Sequence, residues 1–248
     1  MKERIDKLLL ARGLAQSRHQ AQALLLAGSV LADGQRIDKP GTRVDSTSRL
    51  RLKSEARIYV SRGGQKLEHA LQHFSIEVGG KICLDIGAST GGFTDCLLRQ
   101  GAARVHAVDV GHNQLDWKLR KDGRVRCLEG LNARYLKLED IGETTDVITL
   151  DLSFISLCLV LPVLDVFQKS TTRTLCLVKP QFELGKGQVE KGGIVRSPQK
   201  HRLAVDKVSA CARDLGYRLL GSIPSPILGA EGNREFFLAL GSITPATY

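Results

Sequence analysis

Apolar positions in the first 60 residues follow two short helical patterns and then short extended ones. Helices are predicted over residues 2–10 and 17–27, because apolar side chains recur every three or four positions there. An Asp-Gly pair at 33–34 separates two short apolar segments, which is typical of a β-hairpin. Residues 47–52 alternate between polar and apolar side chains, as a strand does. This part of the chain therefore predicts a small α+β domain.

The rest of the chain alternates between strand and helix patterns after a first predicted helix over 65–73. Such alternation favours parallel strands with crossover helices, so an α/β fold with a doubly wound, mostly parallel sheet is expected. Two last apolar runs, 217–223 and 236–241, have no helix between them and are expected to pair antiparallel at the sheet edge. The other predicted strands lie at 82–86, 105–110, 125–128, 146–150 and 174–178, and the other predicted helices at 92–100, 113–121, 155–168 and 198–215.

The charge is distributed unevenly along the 248 residues, which carry a formal net charge of +10. Residues 1–60 hold 12 Lys and Arg against 6 Asp and Glu, whereas the remaining residues hold 24 against 20. A basic domain over 1–60, with a joint at about 54–62, is thus predicted to bind a polyanion, with a membrane surface as the other possible partner. The domain over 63–248 is nearly balanced in charge.

Several classes of protein are disfavoured by the same sequence. The longest nearly continuous apolar run, 157–164, is about half of the roughly 20 residues that a spanning helix needs. The charged amino terminus leads into no apolar signal core, so a cytoplasmic protein is expected. No two of the six cysteines stand two to four residues apart, and they are interpreted as reduced, buried side chains rather than as metal ligands.

A glycine-rich loop follows the strand at 82–86 and predicts a nucleotide-like cofactor. The dinucleotide fingerprint and the phosphate loop are both absent. Asp85, just before the loop, suits the amino and sulfonium groups of S-adenosylmethionine. Asp109, which ends the next strand, can accept hydrogen bonds from ribose hydroxyls. Asn132 has two readings, an adenine contact or a cap of the next turn. The predicted cofactor-binding residues are Asp85, Gly87, Ala88, Ser89, Gly91, Gly92, Phe93, Asp109 and Asn132.

Four charged residues at predicted strand ends or domain edges suggest the reaction. Asp151 and Lys179 each follow a buried strand, and Lys66 and Glu235 could complete the set. The Asn/Asp-Pro-Pro-aromatic motif of amino-group methyltransferases and the Pro-Cys setting of pyrimidine carbon-five methyltransferases are both missing. A ribose 2′-hydroxyl must lose its proton to be methylated, and two lysines with two acids can provide a base and hold it in place.

The segment RIDKLLLARGLAQSRHQAQALLLAGSVLADGQRI resembles the αL RNA-binding domain first described in ribosomal small-subunit protein four. The resemblance covers about 50 residues. It implies binding to structured RNA through the helix face that carries Arg4, Lys7 and Arg18, mainly by phosphate contacts.

Five further segments resemble the TlyA family, whose second domain is similar to FtsJ-type ribose methyltransferases. They are LDIGASTGGFTDCLL, AVDVG, LDLSFISL, LVKPQFELGKGQVEKGGIV and GNREFF. The resemblance implies a Rossmann-like class I methyltransferase domain, 2′-O-methylation of ribosomal RNA, often at cytidine, and a catalytic Lys-Asp-Lys-Glu tetrad. Lys66, Asp151, Lys179 and Glu235 stand at the tetrad positions. Departures at 64–65 and at Leu152 remove no charge.

The resemblance implies ribosomal RNA or ribosomal subunits as partners, with S-adenosylmethionine as cofactor and no metal. Two other functions stay open at this point. One is an RNA-binding ribosome-assembly factor with a vestigial cofactor site. The other is a haemolysin acting on membranes, a name that the TlyA family also carries. The sequence does not fix the oligomeric state or the target nucleotide.

Overall fold

The computed structural model describes residues 2–15, 17–26, 28–52, 59–185, 187–190, 192–229 and 232–243. The chain divides into two compact units, Met1–Ile58 and Tyr59–Tyr248. The predicted joint at 54–62 lies partly outside the described residues.

The first unit contains the two predicted helices and the predicted hairpin. Its helices are α1 (Ile5–Ala11) and α2 (Arg18–Leu26), and its strands are β1 (Lys2–Arg4), β2 (Val30–Ala32), β3 (Gln35–Ile37), β4 (Arg43–Asp45) and β5 (Leu50–Leu52). Strands β3, β2 and β5 form one antiparallel sheet, and β1 pairs with β4 in a second, which the sequence did not predict. The strand predicted over 47–52 is confined to its last three residues.

Local sequence explains the hairpin and the second helix. Asp33 and Gly34 both take positive φ angles, of 50° and 84°, which a two-residue hairpin turn requires at both central positions. The Ser17 hydroxyl accepts a hydrogen bond from the Gln20 amide at 3.1 Å and so caps the start of α2.

The second unit is the predicted α/β domain. One sheet of seven strands has the order β11-β12-β10-β9-β6-β7-β8, in which β12 is antiparallel to both neighbours and the other pairs are parallel. The antiparallel pairing expected at the sheet edge is confirmed. The strands are β6 (Ile82–Ile86), β7 (Arg104–Asp109), β8 (Val125–Glu129), β9 (Thr145–Leu150), β10 (Gln168–Val178), β11 (Tyr217–Pro224) and β12 (Phe236–Ile243). The helices are α3 (Gly63–His73), α4 (Gly92–Arg99), α5 (Trp117–Arg120), α6 (Leu138–Ile141), α7 (Pro180–Glu183) and α8 (Pro198–Asp214).

Two predicted helices differ from the structure. The helix predicted over 155–168 is replaced by 3₁₀ segments at Leu157–Leu159 and Leu161–Phe167. The second residue of the latter segment is Pro162, which has no N–H to continue a helix from the preceding turn. The helix predicted over 113–121 is reduced to α5, because the carboxylate of Asp116 caps the chain by accepting from the Lys118 amide.

The core of the second unit has a layer on each face of the sheet. Side chains of β6 alternate between the layers, so Cys83 packs with α3 and α4 while Leu84 packs with α8 and the 3₁₀ segments. Helix α3 begins at Gly63, so the two glycines predicted to precede it lie in its first turn. Among the described residues, no helix combines the length and apolar character needed to cross a bilayer.

Candidate active site

The site lies where parallel strands β6, β9 and β10 end. These strands are adjacent, so the residues that follow Ile86, Leu150 and Val178 meet at one edge of the sheet. Strand β12 runs the opposite way and pairs Phe236 with Val178, which brings the residue before it, Glu235, to the same edge.

Two ion pairs occupy this edge. The Lys66 ammonium donates to Glu235 Oε2 at 2.6 Å, and both residues are buried, with 7% and 3% of their surfaces exposed. Lys179 Nζ lies 2.6 Å from Asp151 Oδ1 as an ion pair, while its aligned hydrogen bond goes to Ser153 Oγ at 2.9 Å. The four tetrad residues predicted from the sequence are therefore brought together as two lysine–carboxylate pairs.

All four charged side chains line one cleft, of about 420 Å³. Its wall combines the charged pairs with the glycine-rich loop, the start of α3 and three phenylalanines. These further lining residues are Ser61, Arg62, Gly63, Gly87, Ala88, Ser89, Thr90, Gly92, Phe93, Ser153, Phe154, Gln181, Phe182.

A second cleft, of about 440 Å³, adjoins the first and shares Gly87, Ser89 and Asp151 with it. Asp109 lines this second cleft, and its two carboxylate oxygens accept from the backbone amides of Ser89 and Gly111 at 2.8 and 2.7 Å. Asn132 lines it as well and also caps the next turn by accepting from the Arg134 amide at 3.0 Å, so both of its sequence-based readings fit its position.

The glycine-rich loop must approach its neighbours closely. Gly87 has φ +87°, and a Cβ there would lie 2.5 Å from the Asp151 carbonyl oxygen. A Cβ on Gly92 would lie 2.1 Å from Ser61 Oγ and 3.1 Å from the Gly64 amide nitrogen, so only glycine lets α3 and α4 meet here. Gly91 instead faces the Leu115 and Leu119 side chains and is not among the residues that line either cleft.

Asp85, expected to contact the cofactor, is fully buried and lines neither cleft. Its carboxylate accepts hydrogen bonds from Thr94 Oγ1 at 2.7 Å and Thr149 Oγ1 at 3.0 Å. Burial raises the pKa of Asp85 to about 7, in spite of these two donors. In this structure the side chain ties β6 to α4 and β9, and so supports the loop from below.

An exposed phenylalanine and a half-buried one, Phe154 and Phe182, form the lip of the first cleft. Phe154 is 90% exposed and has a positive φ of 64°, an unusual conformation for a bulky residue. Its ring lies 4.9 Å from that of Phe182, at a tilt of 49°. Such a surface can stack against a planar base.

Sequence reasoning missed three groups at this site. Ser153 is the hydrogen-bond partner of Lys179, Gln181 lines the first cleft, and Phe154 stands at its lip. Each lies within five residues of a predicted catalytic residue, and that proximity was the only signal in the sequence. The Gln181 Oε1 atom is buried and has no hydrogen-bond partner among the described residues.

The three predicted RNA-binding residues lie in the first unit. Arg4 pairs with the buried Asp6 through two hydrogen bonds of 3.0 and 2.9 Å, and Arg18 reaches the same carboxylate at 3.4 Å. The Arg4 guanidinium lowers the pKa of Asp6 to about 2, so this carboxylate offsets part of the positive charge. Lys7 is exposed.

Comparison with known proteins gives two family matches. The FtsJ-like methyltransferase family matches residues 59–242, and the S4 domain matches residues 3–50. The 16S/23S rRNA (cytidine-2'-O)-methyltransferase TlyA of Mycobacterium tuberculosis is 49% identical over 242 residues, covering 97% of this chain and 90% of that protein. Hemolysin A of Brachyspira hyodysenteriae is 41% identical over 234 residues, covering 94% and 97%. A solved structure from Streptococcus thermophilus, provisionally named a hemolysin, is 46% identical, covers 97% of this chain and 88% of that one, and gives a TM-score of 0.77.

Proposed function

The chain belongs to the TlyA family of rRNA methyltransferases, with an S4 domain followed by an FtsJ-like methyltransferase domain, and on that premise we propose that it methylates a ribose 2′-hydroxyl of ribosomal RNA. The relative from Mycobacterium tuberculosis is named for cytidine 2′-O-methylation, so cytidine is the proposed target. The observation that carries the proposal is the pair of lysine–carboxylate contacts in a single cleft beside the glycine-rich loop.

The two adjoining clefts fit S-adenosylmethionine, which supplies an electrophilic methyl group when it is bound. Asp109 and Asn132 in the second cleft suit the ribose hydroxyls and the adenine. Gly87 borders both clefts, and any Cβ at this position would clash with the Asp151 carbonyl oxygen. Glycine therefore lets the loop lie close to the wall of the clefts, where a ligand would bind. Asp85 supports the loop in this proposal and does not itself contact the cofactor.

Lys179 is the proposed base for the ribose hydroxyl. Its amine is held at the cleft wall by Asp151 and Ser153, and the Asp151 carboxylate stabilises the ammonium that forms once the proton has moved. The Lys66–Glu235 pair is the proposed holder of the substrate ribose, since both side chains line the same cleft. Lys179 acts as a base in its neutral amine form.

The aromatic lip gives the target base a surface to stack on. A nucleotide must leave its helix for its ribose to reach the cleft, which costs a few kcal/mol. Stacking on Phe154, beside Phe182, can offset part of this energy. The exposed basic residues of the first unit would supply phosphate contacts to the folded RNA.

The test is transfer of labelled methyl from S-adenosylmethionine to purified 30S and 50S subunits that lack the modification. We expect label in ribosomal RNA, at a ribose that resists alkaline hydrolysis, and a loss of about 10²-fold or more in Lys179→Ala. Lys169→Ala is the matched control, because Lys169 forms a similar 2.7 Å ion pair with Asp146 but lines neither cleft. Cofactor binding without transfer to either subunit would contradict the proposal and favour the assembly-factor alternative.

A further inference from the structure

The side chain of Glu183 connects the two loops that carry the proposed base and its counter-ion. Glu183 ends α7, four residues after Lys179, and is only 2% exposed. Its Oε2 accepts from Ser156 Oγ at 2.6 Å and its Oε1 accepts from the Leu157 amide at 2.8 Å. Both of these donors follow Asp151 on the loop after β9. One buried carboxylate thus joins the segment after β9 to the segment after β10.

A third element anchors the same carboxylate. Lys207 on α8 lies 3.7 Å from Glu183 Oε2 and donates to the Glu183 carbonyl oxygen at 2.5 Å. Helix α8 has 17 residues and packs its apolar face on the sheet. Lys207 therefore anchors the contact between the two loops to a rigid part of the fold.

These contacts connect the two loops on both sides of the Lys179–Asp151 pair. At one end, Lys179 meets Asp151 and Ser153 directly. At the other end, Glu183 holds Ser156, and the two strands that precede the loops are paired in parallel. If the Glu183 contacts are lost, the two loops keep the exposed lysine–serine contact, the ion pair itself and the ring contact between Phe154 and Phe182.

We propose that Glu183 is a positioning residue for the Lys179–Asp151 pair. It does not line either cleft, so it acts on the reaction through the two loops and not by contact with the substrate. Misplacement of a reacting group by about 1 Å can lower a rate by about 10²-fold. The inference rests on the proposed function, in which Lys179 accepts the ribose proton.

The test compares Glu183→Ala, Glu183→Gln and Ser156→Ala in the full-length protein. For Glu183→Ala we expect kcat to fall by about 10- to 100-fold per folded molecule, while the Kd of S-adenosylmethionine changes by less than about threefold. Glutamine can still accept from the Leu157 amide and donate to Ser156 Oγ, so Glu183→Gln should recover kcat to within about fivefold of the wild-type value. Ser156→Ala, which removes one of the two contacts, should fall between them.

Two readouts separate positioning from simple loss of stability. The loss in Glu183→Ala should fall on kcat rather than on the KM for the ribosomal subunit, because Glu183 lines neither cleft. Hydrogen exchange should accelerate in the segments 151–157 and 179–184 of that variant. Glu143→Ala is the control, since Glu143 also accepts from two basic side chains, those of Arg104 and His106, but at the opposite end of the sheet. It should change neither readout.

Unchanged kcat and unchanged loop exchange in Glu183→Ala would overturn the inference, as would a loss of activity that matches the unfolded fraction. A wild-type protein that transfers no methyl group would instead refute the proposed function. Hydrogen exchange would still decide, in that case, whether Glu183 orders the two loops.

Discussion

The buried pair of Lys66 and Glu235 allows a structural role to be separated from a catalytic one. At 2.6 Å and an effective dielectric constant of about 20, the attraction between the two charges is about 6 kcal/mol. Removal of both ions from water opposes it by several kcal/mol each, so the intact pair contributes little net stability. Replacement of one partner is different, because it leaves the other charge buried and uncompensated.

The perturbation is a set of three variants, Lys66→Met, Glu235→Gln and the double variant. Lys66→Met should lower the free energy of unfolding by about 3–5 kcal/mol, since it leaves the Glu235 side chain, which is 4% exposed, without its counter-ion. The double variant removes both charges, and its stability should return to within about 1–2 kcal/mol of wild type. Methyl transfer should be lost in all three variants, including the double variant whose stability recovers.

The assay is urea unfolding, followed by circular dichroism, alongside methyl transfer normalised to the folded fraction. Because the stability of the double variant recovers, its lack of transfer cannot be attributed to unfolding. If the double variant regains transfer to within about threefold of wild type, the pair is only a packing feature of the α3–β12 contact and the catalytic reasoning is refuted.

Three further predictions concern the loop, the buried acid and the lip. In Gly87→Ala the new Cβ would meet the Asp151 carbonyl at 2.5 Å, so calorimetry should show S-adenosylmethionine binding weakened by about tenfold or more. Gly80 has a similar positive φ but open space around it, so the control variant Gly80→Ala should bind S-adenosylmethionine normally. Because burial raises the pKa of Asp85 to about 7, the free energy of unfolding should fall as pH rises from about 4 to 7 and level off above that, by at most about 4 kcal/mol. Asp85→Asn should remove most of this pH dependence in urea titrations, and an unchanged dependence would count against the assignment. Phe154→Ala should raise the KM for the ribosomal subunit by about tenfold without lowering stability, and an unchanged KM would exclude the stacking role.

Periodicity predicted most of the second unit because its strands are buried on both faces and read as continuous apolar runs. Helices α4 and α8 were placed to within a residue or two for a similar reason, since each presents a regular apolar face to the sheet. The stretch 155–168 was misread because its apolar residues fit a helix, whereas Pro162 limits the backbone to short 3₁₀ turns. Strand β1 was missed because three residues carry too little pattern to be recognised.

The sequence indicated which residues form the candidate site but not which of them pair with each other. Lys66 and Glu235 are 169 residues apart, and the sequence named both as members of one charged set but did not predict that they pair with each other. Asp85 shows the opposite case. Its place before the loop suggested a ligand contact, but its partners Thr94 and Thr149 lie 9 and 64 residues away, and no local pattern signals that they turn its carboxylate into the interior.

The charges of the site also constrain how the substrate is attracted. The four tetrad side chains form two ion pairs, so the cleft is formally neutral apart from the exposed Arg62 at its edge. A neutral cleft gives a polyanion little long-range attraction, because opposite charges a few ångströms apart cancel beyond a Debye length of about 8–10 Å. The first 60 residues hold 12 basic residues against 6 acidic ones, and Asp6, which pairs with Arg4 and Arg18, is one of the six. In the proposed function, binding of the RNA and chemistry on its ribose therefore fall to different parts of the chain, and the tetrad lysines can stay paired because they do not have to attract the substrate.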